Sequence, residues 1–160
     1  MLLDLERRER VELPPAARLL LATDGTVTHM LEALTGQQVT IDILDREVSG
    51  TTLHRTVALE KGKDSHPLVW ARSKVNLSLL EDELADALVN GDIGIGDLLF
   101  EECTETRRDI VDMGAVFRDD GDFPSFVDSQ AAYLLQRRYR IYDNGDRIMT
   151  ITEYFPETLF

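Results

Sequence analysis

Cysteine, lysine and long apolar runs are what this chain has least of. A single cysteine, Cys103, excludes an internal disulfide. The fold must therefore rest on its core, and a chain of this length buries roughly 68–70% of its unfolded surface without staples. The lone thiol fits a reducing compartment, so a cytoplasmic location is expected. No stretch reaches the ~18 consecutive apolar residues of a membrane span, and Met1 to Arg10 is charged throughout, unlike a leader peptide. Only Lys61, Lys63 and Lys74 are lysines, and 30 acidic residues against 17 basic ones leave a formal net charge of −13. A field of that sign repels nucleic acid and anionic lipid, so neither is expected as a partner. The acidity itself has two readings, a solubilising surface or adaptation to high salt, where screening relieves self-repulsion. A melting series from low to molar salt separates them: a midpoint that climbs more than an ordinary protein's selects salt adaptation, and an ordinary response selects the first.

The usual catalytic signatures are also missing. There is no P-loop and no G-x-S-x-G. His29, His54 and His66 lack metal-ligand spacing, and no metal is expected. Cys103 lies among Glu101, Glu102 and Glu105, and acidic neighbours raise a thiol pKa, which argues against a nucleophile. Gly91-Asp92-Ile93-Gly94-Ile95-Gly96 follows a predicted helix and lacks the third glycine of a dinucleotide fingerprint. It reads as a helix stop and tight turn, or as glycine backbone opened to an anion.

What is present organises into one domain spanning residues 1–160. Pro14 and Pro15 open an apolar helix, Ala16 to Ala22. A second short helix runs Thr26 to Leu34 with Gly36 at its cap, making a helical hairpin. Val39, Ile41 and Ile43 alternate with polar residues as in a strand, and Leu53 to Glu60 and Leu68 to Val75 repeat the signal around a polar hairpin, Lys61 to Pro67. Ser78 and Glu81 form a capping-box pattern for a helix ending at Val89. Arg107 to Phe117 reads as a strand, and the acidic Arg118 to Ser129 as a loop and a candidate mobile segment. Tyr133 to Tyr142 and Arg147 to Phe155 flank Asp143-Asn144-Gly145, a strong hairpin signal. Strands joined by short turns, with helices grouped apart, predict an α+β fold: an antiparallel sheet with helices on one side.

Two residues break the pattern. Side chains alternate faces along a strand. Leu53, Arg55, Val57 and Leu59 therefore share one face, and Met149, Ile151, Glu153 and Phe155 share another. Each strand places one charge among apolar neighbours, which costs several kcal/mol unless that charge is paired and hydrogen-bonded. In one reading Arg55 and Glu153 pair with each other, or one faces solvent at a sheet edge. In the other they flank a cavity for an anionic ligand, with arginine gripping a carboxylate by two bonds and glutamate accepting from a hydroxyl or moving a proton. Arg107, Arg108, Arg137, Arg138 and Arg140 are further anion candidates, although most alternate-position arginines are solvated or paired with carboxylates. Trp70 reads as core rather than as a stacking platform.

Segments along nearly the whole chain resemble the chorismate pyruvate-lyase family, in particular its shorter actinobacterial and archaeal members. They are L-L-L-A-T-D-G-T-V-T-H-M-L-E-A-L from Leu19, R-T-V-A-L from Arg55, P-L-V-W-A-R-S from Pro67 and G-I-G-D-L-L-F from Gly94. T-R-R-D-I-V-D-M-G from Thr106, R-R-Y-R-I from Arg137 and I-T-E-Y-F-P from Ile151 complete the series. The resemblance implies an antiparallel α+β fold with a ligand enclosed under helical flaps. It also implies elimination of pyruvate from chorismate to give a hydroxybenzoate, a carbon–oxygen lyase reaction with no cofactor. It puts the carboxylate-gripping arginine at Arg55 and the hydroxyl-binding glutamate at Glu153, with backbone contacts at Ile95 and Val27. At both backbone positions this sequence departs from the family: the proline-leucine of a turn is Gly94-Ile95, and a methionine is Val27. Arg72 and Arg137 are the candidates for the enolpyruvyl carboxylate. The alternative is a non-catalytic, effector-sensing domain of the same fold. Such modules usually trail a DNA-binding helix-turn-helix, for which this acidic chain has no room. The product isomer, 3- or 4-hydroxybenzoate, and the oligomeric state stay open at this level.

Overall fold

A computed structural model of the protein describes residues 1–62, 66–101 and 105–160. Cys103 lies outside them. Five helices, α1 (Leu2–Glu9), α2 (Pro15–Ala22), α3 (Val27–Thr35), α4 (Asp82–Asn90) and α5 (Ile95–Glu101), accompany six strands. The strands are β1 (Val39–Ser49), β2 (Thr52–Lys61), β3 (Pro67–Asn76), β4 (Arg107–Phe117), β5 (Tyr133–Asp143) and β6 (Asp146–Pro156). They form one sheet in the order β1-β2-β3-β6-β5-β4, with every neighbouring pair antiparallel. The sheet is two three-stranded meanders joined through β3 and β6, so the middle of the sheet brings together segments far apart in sequence. Asn144 at φ 48° and Gly145 at φ 85° make the two-residue turn between β5 and β6, the left-handed pair that matches strand twist. Both edge strands carry a bulge, at Leu44 in β1 and Val111 in β4, which blunts edge-to-edge pairing.

One face of the sheet is the core. Leu5, Leu20, Leu21 and Leu31 from the first three helices pack against Val39, Leu59, Val69, Leu135 and Phe155. Leu84, Leu88, Leu98 and Leu99 from α4 and α5 pack against Leu53, Val75, Ile141 and Met149. The gap between these two apolar groups is where the site lies.

Three expectations change. Met1 to Arg10 forms α1, which its charged composition concealed. The helix exists because Leu5 is buried and Arg8 Nη2 donates 2.6 Å to the Met113 carbonyl of β4; docking supplies what eight residues of propensity cannot. Ser78 caps no helix: its hydroxyl and amide both bond Asn76 Oδ1, at 2.6 and 3.2 Å, and hold a short 3₁₀ turn. The polar side chain prefers the nearer local bond, and α4 begins later, with Glu81 at its N-cap. The segment from Arg118 to Ser129 is irregular but pinned. The Arg118 guanidinium donates to the carbonyls of Ser129 and Ala131, and Phe123, Phe126 and Val127 pack on Trp70 and Leu134 at one end of the second sheet face.

Candidate active site

Strand register puts Arg55 opposite Ser73, with Ile151 and Tyr139 next in the same cross-sheet row. The adjacent row runs Val57, Ala71, Glu153, Arg137. Arg55 and Glu153 thus face the same side, two strands and one row apart, roughly 12 Å between backbone positions at standard sheet spacings. Both are buried, at 2% and 5% exposure, and both line one cavity between the sheet and the helices. Val57, Ala71 and Ile151 make its floor. Its roof is the start of α3, Thr26 to Thr28, and the turn Gly94 to Gly96 entering α5.

The two charges are not partners. Arg55 Nη2 donates to the Ile93 carbonyl, immediately before the roof turn, while its Nε is buried with no partner. Burial lowers its pKa to about 10, and the like charge of Arg46 adds to the effect. It remains a cation at neutral pH. A buried cation with an unsatisfied donor is costly until an anion arrives. Glu153 is held by others. Arg137 Nε donates to Oε2 at 2.5 Å, and Tyr139 Oη donates to Oε1 at 3.0 Å. Burial, then the Glu153 charge, pushes the Tyr139 phenol well above its ordinary pKa, so it stays a proton donor to the carboxylate. The carboxylate keeps lone pairs free on its cavity side, because an ionised carboxylate accepts at about four sites.

The roof is positioned from the same network. Arg137 Nη1 also donates to the carbonyls of Leu20 and Thr23, at 2.8 and 2.5 Å, where α2 ends. A cation there satisfies orphan carbonyls and complements the helix dipole. One guanidinium therefore fixes both the Glu153 carboxylate and the chain leading into Val27. The two roof pieces meet closely: a Cβ at Gly96 would lie 2.6 Å from the Thr26 methyl. The turn also presses on β1, where a Cβ at Gly94 would lie 2.6 Å from Ile41 Cδ1. His29 of α3 and Asp97 of α5 face each other at 3.6 Å across the same junction. At the mouth, Arg108 of β4 donates 3.1 Å to the Asp24 carbonyl and lies 6.0 Å from the Tyr139 ring centre. It lines both the cavity and a shallower cleft outside it.

Comparison with known proteins follows the same lines. The family described as chorismate pyruvate-lyase Rv2949c-like matches residues 21–160. This chain belongs to that family. A Methanocaldococcus jannaschii protein named "Putative lyase MJ0807" is 32% identical over 86% of this chain and 76% of its own length. The chorismate pyruvate-lyase of Mycobacterium leprae is 25% identical over 98% of this chain and 81% of its own length. Among solved structures, PhnF from Mycobacterium smegmatis superposes with a TM-score of 0.58 at 11% identity, covering 87% of this chain and 67% of its own. The isolated effector domain of PhnF gives 0.56 at 12% identity, over 84% of this chain and 90% of its own. These two likenesses concern the fold alone.

Within this member of the lyase family, Arg55, Glu153, Val27 and Ile95 all line the one cavity. The other two positions expected there do not. Arg72 points to the opposite sheet face, its guanidinium 4.4 Å over the Phe126 ring; two positions along from Trp70, strand alternation sends it away from the helices. Arg137 does face inward, at 1% exposure, but it does not line the cavity: its Nε is held by Glu153 and its Nη1 by two backbone carbonyls. It holds the site together from beneath. Sequence reading missed Tyr139, and it placed Arg108 only among the general anion candidates. Tyr139 was accessible to the rule that singled out Arg55, because Leu135, Arg137, Tyr139 and Ile141 share the inner face of β5. That face carries an arginine to match the glutamate of β6. Arg108 carried no stronger signal than the other candidate arginines, since most arginines at alternate strand positions are solvated or paired.

Proposed function

We propose that this protein is a chorismate pyruvate-lyase, converting chorismate to 4-hydroxybenzoate and pyruvate without a cofactor. The observation that carries the reading is the buried Arg55 guanidinium, with an unpartnered donor, at one side of a cavity whose other side is a pre-oriented Glu153 carboxylate. Arg55 grips the ring carboxylate as a fork. Glu153 accepts the hydrogen bond of the ring hydroxyl, and Arg137 and Tyr139 act as positioning residues that stop the carboxylate from turning. Amide groups of Val27 and Ile95, at helix starts, face the anion from the roof.

The reaction asks little more of the protein. The hydrogen on the hydroxyl-bearing ring carbon is lost as a proton, and the ether bond at the neighbouring carbon breaks with its electron pair on the enolpyruvyl oxygen. The ring becomes aromatic, and the enolpyruvate takes up a proton and ketonises to pyruvate. Aromatisation supplies the driving force, so positioning and exclusion of water are the protein's main contributions. Glu153, hydrogen-bonded beside the hydroxyl-bearing carbon, is the group placed to assist the departing proton.

The substrate is a dianion, and its second carboxylate needs a cation. Arg108, at the mouth beside Tyr139, lines the cavity where Arg72 and Arg137 do not, and takes this role. Arg108→Gln is expected to raise KM for chorismate about tenfold, the range for a partly solvated charge pair. Its affinity for 4-hydroxybenzoate, which lacks that carboxylate, should stay within about twofold. Equal losses for substrate and product would remove Arg108 from this role.

Purified protein with chorismate tests the whole reading. Hydroxybenzoate absorbance and pyruvate should appear in equal amounts, unaffected by EDTA, and a mass spectrum with a chromatographic standard fixes the isomer. The effector domains that share this fold keep a second reading in view. Saturable hydroxybenzoate binding with no pyruvate released would replace catalysis by ligand sensing.

A further inference from the structure

The sheet face opposite the helices carries a pattern that the lyase chemistry does not use. Two cross-strand rows traverse it. One runs His54, Lys74, Thr150, Arg140 and the next Thr56, Arg72, Thr152, Arg138, on β2, β3, β6 and β5. Each row repeats cation, threonine, cation. The four cations make a rectangle of roughly 7 by 10 Å at standard sheet spacings, with two hydroxyls down its middle. Arg147 stands at one end, and Phe126 closes the other beneath Arg72.

In a chain of net charge −13, no carboxylate among the described residues lines this groove. Among the described residues, Arg72, Lys74, Arg140 and Arg147 have no carboxylate within 4 Å, and Arg138 reaches only the edge residue Asp112, at 3.3 Å. Like charges gathered on one sheet face oppose folding unless something neutralises them. The outermost positions reverse sign: Asp45 and Glu47 continue the two rows on β1, and Asp112 and Asp109 continue them on β4. These carboxylates fence the groove to the width of its central strands. A broad polyanion such as duplex nucleic acid would meet both fences and the acidic remainder of the surface. A second copy packed face to face about a two-fold axis would set cations on cations.

We propose that this face is a second binding site, for a small linear anion carrying two or more phosphate groups, lying along β6 between the two cation columns. Arginine forks and threonine hydroxyls are matched donors for phosphate oxygens. The site is separate from the Arg55 cavity, with the sheet between them, and does not rest on the lyase reading.

Calorimetric titration with inorganic tripolyphosphate at low ionic strength tests this. Saturable binding is expected, weakening as salt rises. Lys74→Gln/Arg140→Gln should weaken it about tenfold or more, some 1.4 kcal/mol or above. Arg7→Gln/Arg10→Gln, which removes the same charge from the α1 region, and Arg55→Ala should leave it unchanged. Turnover of chorismate, or hydroxybenzoate binding, in the Lys74/Arg140 variant reports that the fold is intact. Binding that is absent, equally weakened by the α1 pair, or lost in Arg55→Ala would overturn the proposal. So would displacement of tripolyphosphate by an equal phosphate concentration of a duplex oligonucleotide, or a dimer in sedimentation that the Lys74/Arg140 variant abolishes.

Discussion

Arg55→Ala is expected to lower kcat/KM for chorismate by about 30- to 5,000-fold, the equivalent of 2–5 kcal/mol for truncating one partner of a buried charge pair. The size follows from the surroundings. Arg55 is 2% exposed, and its Nε has no other partner. Burial strengthens its attraction for the ring carboxylate, and the other cavity arginine, Arg108, sits at the mouth. Arg55→Lys retains the charge but loses the second bond, and should fall between alanine and the natural protein. Hydroxybenzoate affinity should drop in parallel with kcat/KM, in contrast to the Arg108 variant, because the ring carboxylate survives in the product. Burial sets the alkaline limit. With the free-protein pKa of Arg55 lowered to about 10, affinity should be constant near neutral pH. It should fall about tenfold per unit once the pH passes that value, since the ligand binds the protonated form. Turnover unchanged in Arg55→Ala would remove the catalytic reading at its base.

Arg137→Met should cost about 3–5 kcal/mol of stability, as expected when a buried ion pair loses one member. For a chain of this size that is a fall in melting midpoint of about 6–20 °C. The guanidinium is 1% exposed and serves three acceptors, the Glu153 carboxylate and the carbonyls of Leu20 and Thr23. Its removal strands a buried carboxylate and unties the end of α2 from the sheet. Arg137→Met/Glu153→Gln should recover part of the loss, because no uncompensated charge then remains. Neither variant should turn over chorismate: one leaves Glu153 free to rotate and the other replaces it. A midpoint for Arg137→Met within 2 °C of the natural protein would mean that the pair contributes nothing to the fold. Recovery of stability together with activity in the double variant would mean that Glu153 does not touch the substrate.

Much of this was legible in the chain itself. The period-two runs, the Asn144-Gly145 turn and the grouping of helices specify an antiparallel α+β sheet, because alternation and turn chemistry act over a few residues. The same local rule exposed Arg55 and Glu153, since a charge among alternating apolar positions shows without knowledge of any partner. Tertiary structure alone decided what those charges do. The α1 helix exists only by docking on β4, and Ser78 turned from helix cap to turn former because Asn76 lay within reach. Above all, β3 lies beside β6, so residues nearly a hundred positions apart share one row. The β5–β6 register set Arg137 against Glu153, while the order β2-β3-β6 kept Arg55 two strands away with its Nε unpartnered. The β3–β6 pairing also brought Arg72, already turned to the far face by alternation, into one row with Arg138 of β5. Local pattern determines which way a side chain points. Which opposite charge it meets depends on strand order and register, which are settled by burial and hydrogen bonding summed over the whole sheet.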